Sequence, residues 1–424
     1  MVGYIEKFLS PYLCGYRKGF NSQYALLAMI EKWKKCLDGD GGFTGAILMD
    51  LSKAFDTLNH ELLIAKLDAY GFEESALGVV HSYLTDRWQR TKVDTSFSTW
   101  KELLTGVPQG SVLGPLLFNI YLNDLFFQLG GADVCNFADD TTLYACDIEL
   151  QKVLHDLEDN ALTAIIWFEN NYMKLNQSKC HFLTNGSNEH LWIKVGNEMI
   201  WESQFEKLLG MSVDKDLNFN SHLKSLCKKV NQKVSALARI VNILPFQKRH
   251  IIMKTFIESQ FSYCPLVWMF CSRAMNNKIN HIHERALRLV YQDYATTFED
   301  LLKKDGSLRF HHRNIHHVAI EMFKVKHDLS PPFMKDILIH NGNEKGTRSG
   351  DTFKRPNVDS VKKGDRSLRS FGPIVWNEML PNKLKECKTL SEFKNLLKTW
   401  TPDNCRCELC KKYVHGLGYT NVIG

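Results

Sequence analysis

The chain has 424 residues, of which 44% are apolar and 24% are charged; this balance is typical of a globular protein of two or three domains and excludes a wholly disordered or fibrous chain. No stretch reaches the roughly 18–20 uninterrupted apolar residues that a membrane helix needs, and the first ten residues lack the pattern of a secretory signal. The net charge of +6 is unevenly spread, with 17 Lys and Arg against 28 Asp and Glu in residues 1–214, and 36 against 19 in residues 215–424. A basic second half favours contact with a polyanion such as nucleic acid, although a solvated helical surface would give the same balance.

Short β-rich runs alternate with amphipathic helices in the first half. The run FTGAILM predicts a buried strand over residues 43–49, because a glycine-rich turn precedes it. A helix is predicted over residues 61–70, with Asn59 as its N-cap. Further strands are predicted over residues 89–93, 97–103, 134–138, 141–145, 180–184, 191–195 and 208–213, and further helices over residues 112–129 and 149–172. After residue 214 the sequence favours helices with basic polar faces, such as residues 222–241, then a polar linker over residues 341–370 and a short helical patch over residues 384–400.

Two adjacent carboxylates, Asp139 and Asp140, stand between two apolar β-runs in the sequence FADDTTLY. In a hairpin both would lie at the turn, above a buried sheet, where like charges repel each other unless a proton or a cation neutralises them. The alternative is an ordinary turn, since Asp is common in turns. The pair is therefore a candidate cation site.

A third carboxylate, Asp50, ends the predicted strand over residues 43–49. If this strand and the hairpin are neighbours in one sheet, the three carboxylates converge. Oxygen ligands suit Mg²⁺, and two such ions about 3.5–4 Å apart can stabilise the attacking and leaving oxygens of phosphoryl transfer. Asp56 is better explained as a helix-start carboxylate that the helix dipole favours.

A turn-rich loop, GVPQGSVLGP, spans residues 106–115. Its glycines permit close backbone approaches, its prolines stiffen it, and the amide of Gln109 can both donate and accept a hydrogen bond. A tight connection packed against the sheet is the alternative explanation. No Gly-Lys-Ser/Thr follows, which disfavours a Walker-type NTPase.

Four segments in chain order resemble motifs A to D of reverse transcriptases from non-LTR, LINE-like retrotransposons, especially the jockey-like group. They are residues 49–60 (MDLSKAFDTLNH), 106–118 (GVPQGSVLGPLLF), 137–140 (FADD) and 175–180 (LNQSKC). Further similarity is found in residues 10–21, before motif A, in residues 206–211, at the motif E turn, and in residues 259–268 and 284–288, after the polymerase. Because four motifs occur in order at the family's spacing, chance assembly is implausible.

The resemblance implies roles for individual residues. Asp50 and Asp139 would be the principal metal ligands, and Asp140 the second carboxylate of motif C. Phe55 would exclude the 2′-hydroxyl of a ribonucleotide, although a Phe at this spacing is also typical of a core. Lys179 would lie near the triphosphate as a proton donor to pyrophosphate, although a surface Lys would look the same. The other residues that would bind the nucleotide are Leu51, Ser52, Lys53, Ala54, Gln109 and Gly110.

The resemblance also implies an α+β fold. We expect a right-hand polymerase palm, in which helices back an antiparallel sheet, with partial fingers over residues 1–214. A basic helical thumb or connection region is expected over residues 215–340, with a polar linker, a short helix and a Cys-rich tail over residues 341–424. Only 49 residues precede Asp50, so we expect most of the fingers, and the upstream endonuclease that family members carry, to be missing.

The implied function is RNA-directed DNA polymerisation, in which a primer 3′-hydroxyl attacks a deoxynucleotide with the help of two Mg²⁺ ions, for which Mn²⁺ would substitute. The partners would be an RNA template, a DNA primer or target DNA, and deoxynucleoside triphosphates, with no membrane involved. Priming at a genomic target implies access to the nucleus as well as the cytoplasm. One alternative is a catalytically inactive nucleic-acid-binding remnant without fingers. Another, a metal-dependent nuclease or phosphohydrolase, is disfavoured because it gives Phe55 and the loop no purpose.

The cysteines point to a second metal site. Nine of the twelve are scattered singly, as is typical of reduced thiols in an intracellular protein. Cys405, Cys407 and Cys410 lie close together, and with His415 they could bind one zinc ion through three thiolates and one imidazole. The alternative is a tail that binds no metal.

Two further groups have ordinary explanations. His312 and His316 are spaced for a metal on one helix face, but a solvated or nucleic-acid-facing helix side explains them better. Phe261, Tyr263 and Trp268 could stack on bases, yet their spacing beside other apolar residues is more typical of a core.

Overall fold

A computed structural model describes residues 2–39, 41–341, 352–407 and 409–410. The chain divides into two compact units, residues 1–209 and residues 210–424. Within the described ranges, no helix combines the length and the apolar character needed to span a bilayer.

The first unit contains both helices and strands. Its helices are Val2–Ile5 (α1), Ser22–Cys36 (α2), His60–Ala69 (α3), Glu74–Leu84 (α4), Gly114–Leu122 (α5), Leu125–Gln128 (α6) and Leu150–Asn170 (α7), with 3₁₀ turns at Ala54–Asp56 and Gln177–Lys179. Its strands are Phe43–Met49 (β1), Trp88–Gln89 (β2), Lys92–Val93 (β3), Ser96–Phe97 (β4), Lys101–Glu102 (β5), Asp133–Phe137 (β6), Asp140–Asp147 (β7), His181–Asn185 (β8), Trp192–Val195 (β9), Glu198–Trp201 (β10) and Phe205–Leu208 (β11).

A four-stranded antiparallel sheet forms the centre of this unit, in the order β6-β7-β1-β8. Helices α2 and α7 pack against it. The predicted strand over residues 43–49 is confirmed. Its mostly apolar sequence is explained by burial, because β1 lies between β7 and β8 in the sheet. The predicted α+β palm, an antiparallel sheet backed by helices, is therefore the observed architecture.

The long helix α7 is amphipathic. Val153, Leu157, Ala161 and Ala164 are fully buried, at the three- and four-residue spacing of one helix face. Asn59 caps α3 as predicted, with its Oδ1 accepting from the Leu62 amide at 2.9 Å. Both helices were predicted to within two residues at each end.

Some predicted boundaries were wrong. The single strand predicted over residues 208–213 is instead the end of strand β11 at Leu208 and the start of the next strand at Met211. Leu209 and Gly210 form a turn between these strands, with φ of +46° and +78°. The predicted helix over residues 112–129 begins only at Gly114, with Pro115 in its first turn, and is divided at Asn123. Strand β10 was missed because its alternation is weak.

The second unit is mostly helical. Its helices are Asn220–Ile240 (α8), Phe246–Ile252 (α9), Pro265–Trp268 (α10), Arg273–Tyr291 (α11), Phe298–Asp305 (α12), Phe310–Lys326 (α13), Met334–Ile337 (α14), Leu368–Ile374 (α15), Asn382–Lys385 (α16) and Leu390–Leu397 (α17), with irregular turns at Met253–Ile257, Glu258–Ser262, Val361–Asp365 and Val375–Met379. Its short strands are Met211–Asp214 (β12), His340–Asn341 (β13) and Thr352–Phe353 (β14).

Helix α13 organises the later part of this unit. Helices α15 and α17 pack against it, and Phe323 of α13 stacks on Phe393 of α17 with ring centroids 4.5 Å apart. Helices α15 and α17 therefore share a core with α13. The predicted domain divisions after residues 214 and 340 stay predictions, and residues 342–351 of the predicted linker lie outside the described residues.

Candidate active site at the edge of the first sheet

The sheet register brings the three predicted carboxylates to one edge. Met49 pairs with Thr141, so Asp50 follows β1 next to the point where β7 begins at Asp140. Phe137 pairs with Asp140, which leaves Ala138 and Asp139 as the tight turn between β6 and β7. The predicted hairpin is confirmed, and both of its carboxylates are exposed.

Hydrogen bonds from the Asn136 side chain stabilise the turn that carries the carboxylates. This side chain is fully buried, and its Nδ2 donates to the Ala138 carbonyl at 3.0 Å and to the Thr141 Oγ1 at 2.9 Å. The bonds hold Ala138 at a φ of +60°, a conformation that costs a non-glycine residue energy. Asn136 therefore positions Asp139.

A second support comes from the segment that precedes α2. A Cβ on Gly15 would lie 2.4 Å from the Ala138 nitrogen, so only glycine allows the two backbones to approach this closely. The Cys14 amide donates to the Asn136 carbonyl at 3.0 Å. Sequence reasoning gave no role to Asn136 or Gly15. The contact of Gly15 with Ala138 joins residues far apart in the chain, and the bonds of Asn136 depend on the geometry of the turn itself.

The electrostatics of the edge fit a cation site. Although the Asp140 side chain keeps exposed surface, desolvation by the protein around it, and then the charges of Asp139 and Asp50, raises its pKa above the ordinary Asp value. The donors are all carboxylate oxygens, which suit Mg²⁺. Asp50, Asp139 and Asp140 do not form a closed ligand set, because among the described residues the one group of three or more metal-ligating side chains gathered closely enough to hold an ion lies in the second unit.

Lys179 belongs to the same edge. Its Nζ lies 3.6 Å from Asp50 Oδ2, with both side chains largely exposed. The chain is fixed there because the Asn176 amide donates to the Asp50 carbonyl at 2.8 Å and the Ser52 amide donates to the Lys174 carbonyl at 2.9 Å. An exposed ion pair of this kind adds little to the free energy of unfolding. Its main consequence is that the Lys179 ammonium group lies beside the Asp50 carboxylate.

The residues after Asp50 form a tight turn. Lys53 has a φ of +51° and precedes the 3₁₀ turn Ala54–Asp56. Leu51 and Ala54 are buried, whereas Ser52 and Lys53 are accessible. The predicted nucleotide-binding residues 51–54 therefore present backbone and small polar groups beside the carboxylates.

Phe55 has neighbours on two sides. Its half-buried ring stacks on Phe118 with centroids 4.3 Å apart and planes at 19°. Tyr16 meets it edge to face at 6.1 Å. Partial burial, then the charge of Asp139, raises the pKa of Tyr16, which places this phenol near the turn as well. The sequence placed Tyr16 in residues 10–21, the segment that resembles the region before motif A, but gave this residue no role.

The loop over residues 106–115 reaches the same region. A Cβ on Gly106, whose φ is +84°, would lie 2.8 Å from the Asp56 Cα, and the Val107 amide donates to the Phe55 carbonyl at 3.0 Å. Gln109 Nε2 donates to Asp56 Oδ1 at 3.0 Å. Asp56 was expected to serve a helix start, yet its side chain orients Gln109. The following residue, Gly110, is exposed.

The remaining predicted site residues belong to the second unit. Phe261 and Trp268 are core residues there, as expected, while Tyr263 is partly exposed. Cys405, Cys407 and Cys410 are described, whereas His415 lies outside the described residues.

An antiparallel sheet backed by helices, with carboxylates at the ends of two adjacent strands, is the architecture of a polymerase-type palm. Residues 3–213 match the family model described as Reverse transcriptase (RNA-dependent DNA polymerase). This part of the chain belongs to that family, which confirms the resemblance seen in the sequence.

Several of the curated relatives are proteins of mobile elements. The chain is 25% identical over 299 residues to the probable RNA-directed DNA polymerase from transposon BS of Drosophila melanogaster, covering 67% of this chain and 33% of the relative. It is 24% identical over 298 residues to the RNA-directed DNA polymerase from mobile element jockey of the same species, covering 68% and 32%. The chain thus spans about a third of the length of these relatives.

Among the solved structures to which the chain is similar are telomerases. Apo telomerase from Candida tropicalis matches with a TM-score of 0.38 and 12% identity, over 79% of this chain and 58% of that one. Telomerase from Candida albicans, in complex with a fragment of telomeric RNA, matches with a TM-score of 0.37 and 12% identity, over 72% and 52%.

Proposed function

We propose that the chain is the polymerase part of a non-LTR retroelement reverse transcriptase, which extends a DNA primer on an RNA template. The observation that supports this most directly is the position of Asp50 beside the Asp139–Asp140 turn, within the residues that match the family. In the reaction the primer 3′-oxygen bonds to the α-phosphorus of a deoxynucleoside triphosphate while the bond to pyrophosphate breaks. Charge neutralisation and positioning dominate such transfers.

The carboxylate edge would hold the metal ions. Asp50 and Asp139 would be the principal ligands of two Mg²⁺ ions, with Asp140 as a further carboxylate, and Mn²⁺ would substitute. The ions would stabilise charge on the attacking and leaving oxygens. Asn136 would keep the turn fixed, so that the carboxylates need little rearrangement on binding.

The turn and loop beside the carboxylates would bind the nucleotide. The backbone of residues 51–54 would approach the triphosphate, and Phe55, held against Phe118, would exclude a 2′-hydroxyl from the sugar site. Gln109, oriented by Asp56, and Gly110 would contact the incoming nucleotide or the template base pair. Lys179 would donate a proton to the leaving pyrophosphate.

The second unit would contact nucleic acid without reading its sequence. Lys224, Lys228 and Arg239 of α8, with Lys278 of α11, line one shallow groove. Such basic side chains bind phosphates, and their contribution falls with salt. The first unit would then be the palm with part of the fingers, and α8 and the following helices the thumb. A chain that primes on genomic DNA would work in the nucleus after synthesis in the cytoplasm.

Primer extension tests the proposal. The purified chain is offered an RNA template with an annealed DNA primer, the four deoxynucleotides, and Mg²⁺ or Mn²⁺. Extension is expected from the wild type and is expected to vanish in the Asp139→Asn/Asp140→Asn variant. Asp159→Asn is a matched control, because it removes the same kind of charge from the exposed face of α7 and should keep full activity.

The other outcomes refute the proposal in distinct ways. Binding of the template–primer without extension would identify a nucleic-acid-binding protein instead. Metal-dependent cleavage without extension would identify a nuclease. Equal loss of extension in the Asp159→Asn control would show that the double variant acts through stability rather than through the carboxylate edge.

A further inference from the structure

Four metal-ligating side chains meet in the second unit at a place that the polymerase reaction does not use. They are His311, at the start of α13, and Cys405, Cys407 and Cys410, after α17. Their ligand atoms all lie within 4.8 Å of one another, and His311 Nε2 is 3.1 Å from Cys407 Sγ. Among the described residues, no other group of three or more His, Cys, Asp or Glu side chains is gathered in this way.

We infer that His311, Cys405, Cys407 and Cys410 form a structural zinc site that fastens the Cys-rich tail to helix α13. Three sulfurs and one imidazole nitrogen are a donor set that zinc binds tetrahedrally in structural sites. With zinc–sulfur bonds of about 2.3 Å and a zinc–nitrogen bond of about 2.0–2.1 Å, the ligand atoms of a tetrahedral site lie about 3.5–3.8 Å apart. The observed ligand atoms, 3.1 Å apart for His311 and Cys407 and all within 4.8 Å of one another, bracket these distances, so shifts of about 1 Å or less would reach this geometry.

The imidazole is positioned by the helix core. His311 is 6% exposed, and among the described residues Cys407 is the only hydrogen-bond partner of its side chain. The preceding residue, Phe310, packs on Phe261 with ring centroids 4.5 Å apart. Two residues on, Arg313 forms an ion pair with the buried Glu258 at 2.6 Å. The first turn of α13 is thus held rigidly on one side of the site.

The cysteine segment is positioned from the other side. One helical turn along α13, His316 Nε2 contacts the Trp400 carbonyl at 2.9 Å, and the two rings stack with centroids 5.5 Å apart. The Cys405 amide donates to the Pro402 carbonyl at 3.1 Å, and the Cys410 amide donates to the Cys407 carbonyl at 3.0 Å. These turns direct the three sulfurs toward His311 before any ion is bound.

The burial of the four side chains favours a metal site over ordinary core packing as the explanation of this cluster. Cys405 is buried with His311, whereas Cys407 and Cys410 are only partly covered. Core thiols that replace small apolar residues have no reason to cluster around an imidazole. Partly covered sulfurs give an ion an entry path, and four protein ligands leave no open position for substrate, which is typical of a structural site.

The ligand set differs from the one that sequence spacing suggested. His415 was the expected fourth ligand, and it lies outside the described residues; His311 occupies that position, 96 residues before Cys407. The histidine pair weighed earlier is not a site by itself, because His316 is engaged with Trp400 while His312 Nε2 lies 3.6 Å from Cys410 Sγ.

The site would close one wall of a cavity in the same unit. The cavity has a volume of about 730 Å³, and its lining includes His311, Cys405, Cys407, Met269, Arg355 and Phe371. Zinc would therefore link the tail to the helices that surround this cavity. Its loss should loosen the second unit without changing the carboxylate edge directly.

Zinc content and affinity test the inference without any polymerase assay. The full chain, purified under reducing conditions in the presence of zinc, should carry one zinc ion, measured by elemental mass spectrometry. His311→Ala should weaken zinc binding by about 100-fold or more in competition with a chromogenic chelator, since even outer partners of a ligand cost about 10–100-fold. His415→Ala and Cys387→Ser, a buried cysteine elsewhere in the unit, should leave the affinity unchanged.

A cobalt probe keeps the test decisive if His311→Ala folds poorly. Co²⁺ bound by three thiolates gives a sulfur-to-metal charge-transfer absorption, which should rise in His311→Cys, where a fourth thiolate is supplied, and fall in Cys407→Ser. A fully reduced wild-type chain that binds neither zinc nor cobalt would overturn the inference. Release of zinc by His415→Ala but not by His311→Ala would overturn the assignment of His311.

Discussion

Replacing Asn136 by alanine should loosen the turn that carries Asp139. The two shorter bonds that the Asn136 Nδ2 donates, at 2.9 and 3.0 Å, are fully buried, and each contributes about 0.5–1.5 kcal/mol. Their loss should lower the free energy of local opening by about 1–3 kcal/mol, which corresponds to about 5- to 150-fold faster amide exchange in residues 134–143. Hydrogen exchange followed by mass spectrometry measures this directly.

Asn185→Ala is the matched control. Asn185 is also buried, and its Oδ1 accepts from Thr44 Oγ1 at 2.9 Å, but it lies at the opposite end of β1 from the turn. It should speed exchange near its own end of the sheet and leave residues 134–143 unchanged. Unaltered exchange at the turn in Asn136→Ala, or the same change in both variants, would refute the idea that Asn136 positions the carboxylates.

Three further changes have expected outcomes. Asp140→Asn should raise the urea midpoint of the metal-free chain, because desolvation and the neighbouring carboxylates raise the pKa of Asp140 and so disfavour its charged form. The stability of the wild type should therefore fall as the pH rises above the ordinary Asp range, and Asp140→Asn should reduce this fall. The same pH slope in the wild type and the variant would contradict this. Phe55→Val should reduce the preference for deoxynucleotides over ribonucleotides by about tenfold or more in primer extension, and an unchanged ratio would exclude a steric role. Glu258→Ala should lower the free energy of unfolding of the second unit by about 3–5 kcal/mol, because it leaves the charge of Arg313 without its buried partner. An unchanged urea midpoint would show that the Glu258–Arg313 ion pair does not stabilise this unit.

Local patterns in the sequence predicted the parts of the site that depend on neighbouring residues. An unbroken apolar run gave β1 and therefore the position of Asp50. Two apolar runs separated by Asp139 and Asp140 gave the hairpin. The same rule failed at residues 208–213, where Leu209 lies in a turn although its neighbours are apolar.

Contacts between distant residues could not be predicted in this way. Asn119 donates to the Gly15 carbonyl at 2.8 Å across 104 residues, and this contact helps to fix the segment that supports the Asp139 turn. The role of Tyr16 depends in the same way on where the chain brings Phe55. His311 was not predicted from the sequence as a ligand of the proposed zinc site, because metal-ligand spacing is recognisable only when the ligands are close in the chain.

The carboxylate edge has consequences for the order of binding. Within the described residues, Lys179 is the one cation that pairs with Asp50, Asp139 or Asp140. One ammonium group cannot offset three carboxylates, so the edge repels a bare triphosphate at short range. Under the proposed function, divalent ions would have to reduce this repulsion before or together with nucleotide binding. Nucleotide affinity should accordingly rise with divalent-ion concentration in the wild type, whereas a variant with neutral Asn at positions 139 and 140 should bind nucleotide with much weaker dependence on the ion.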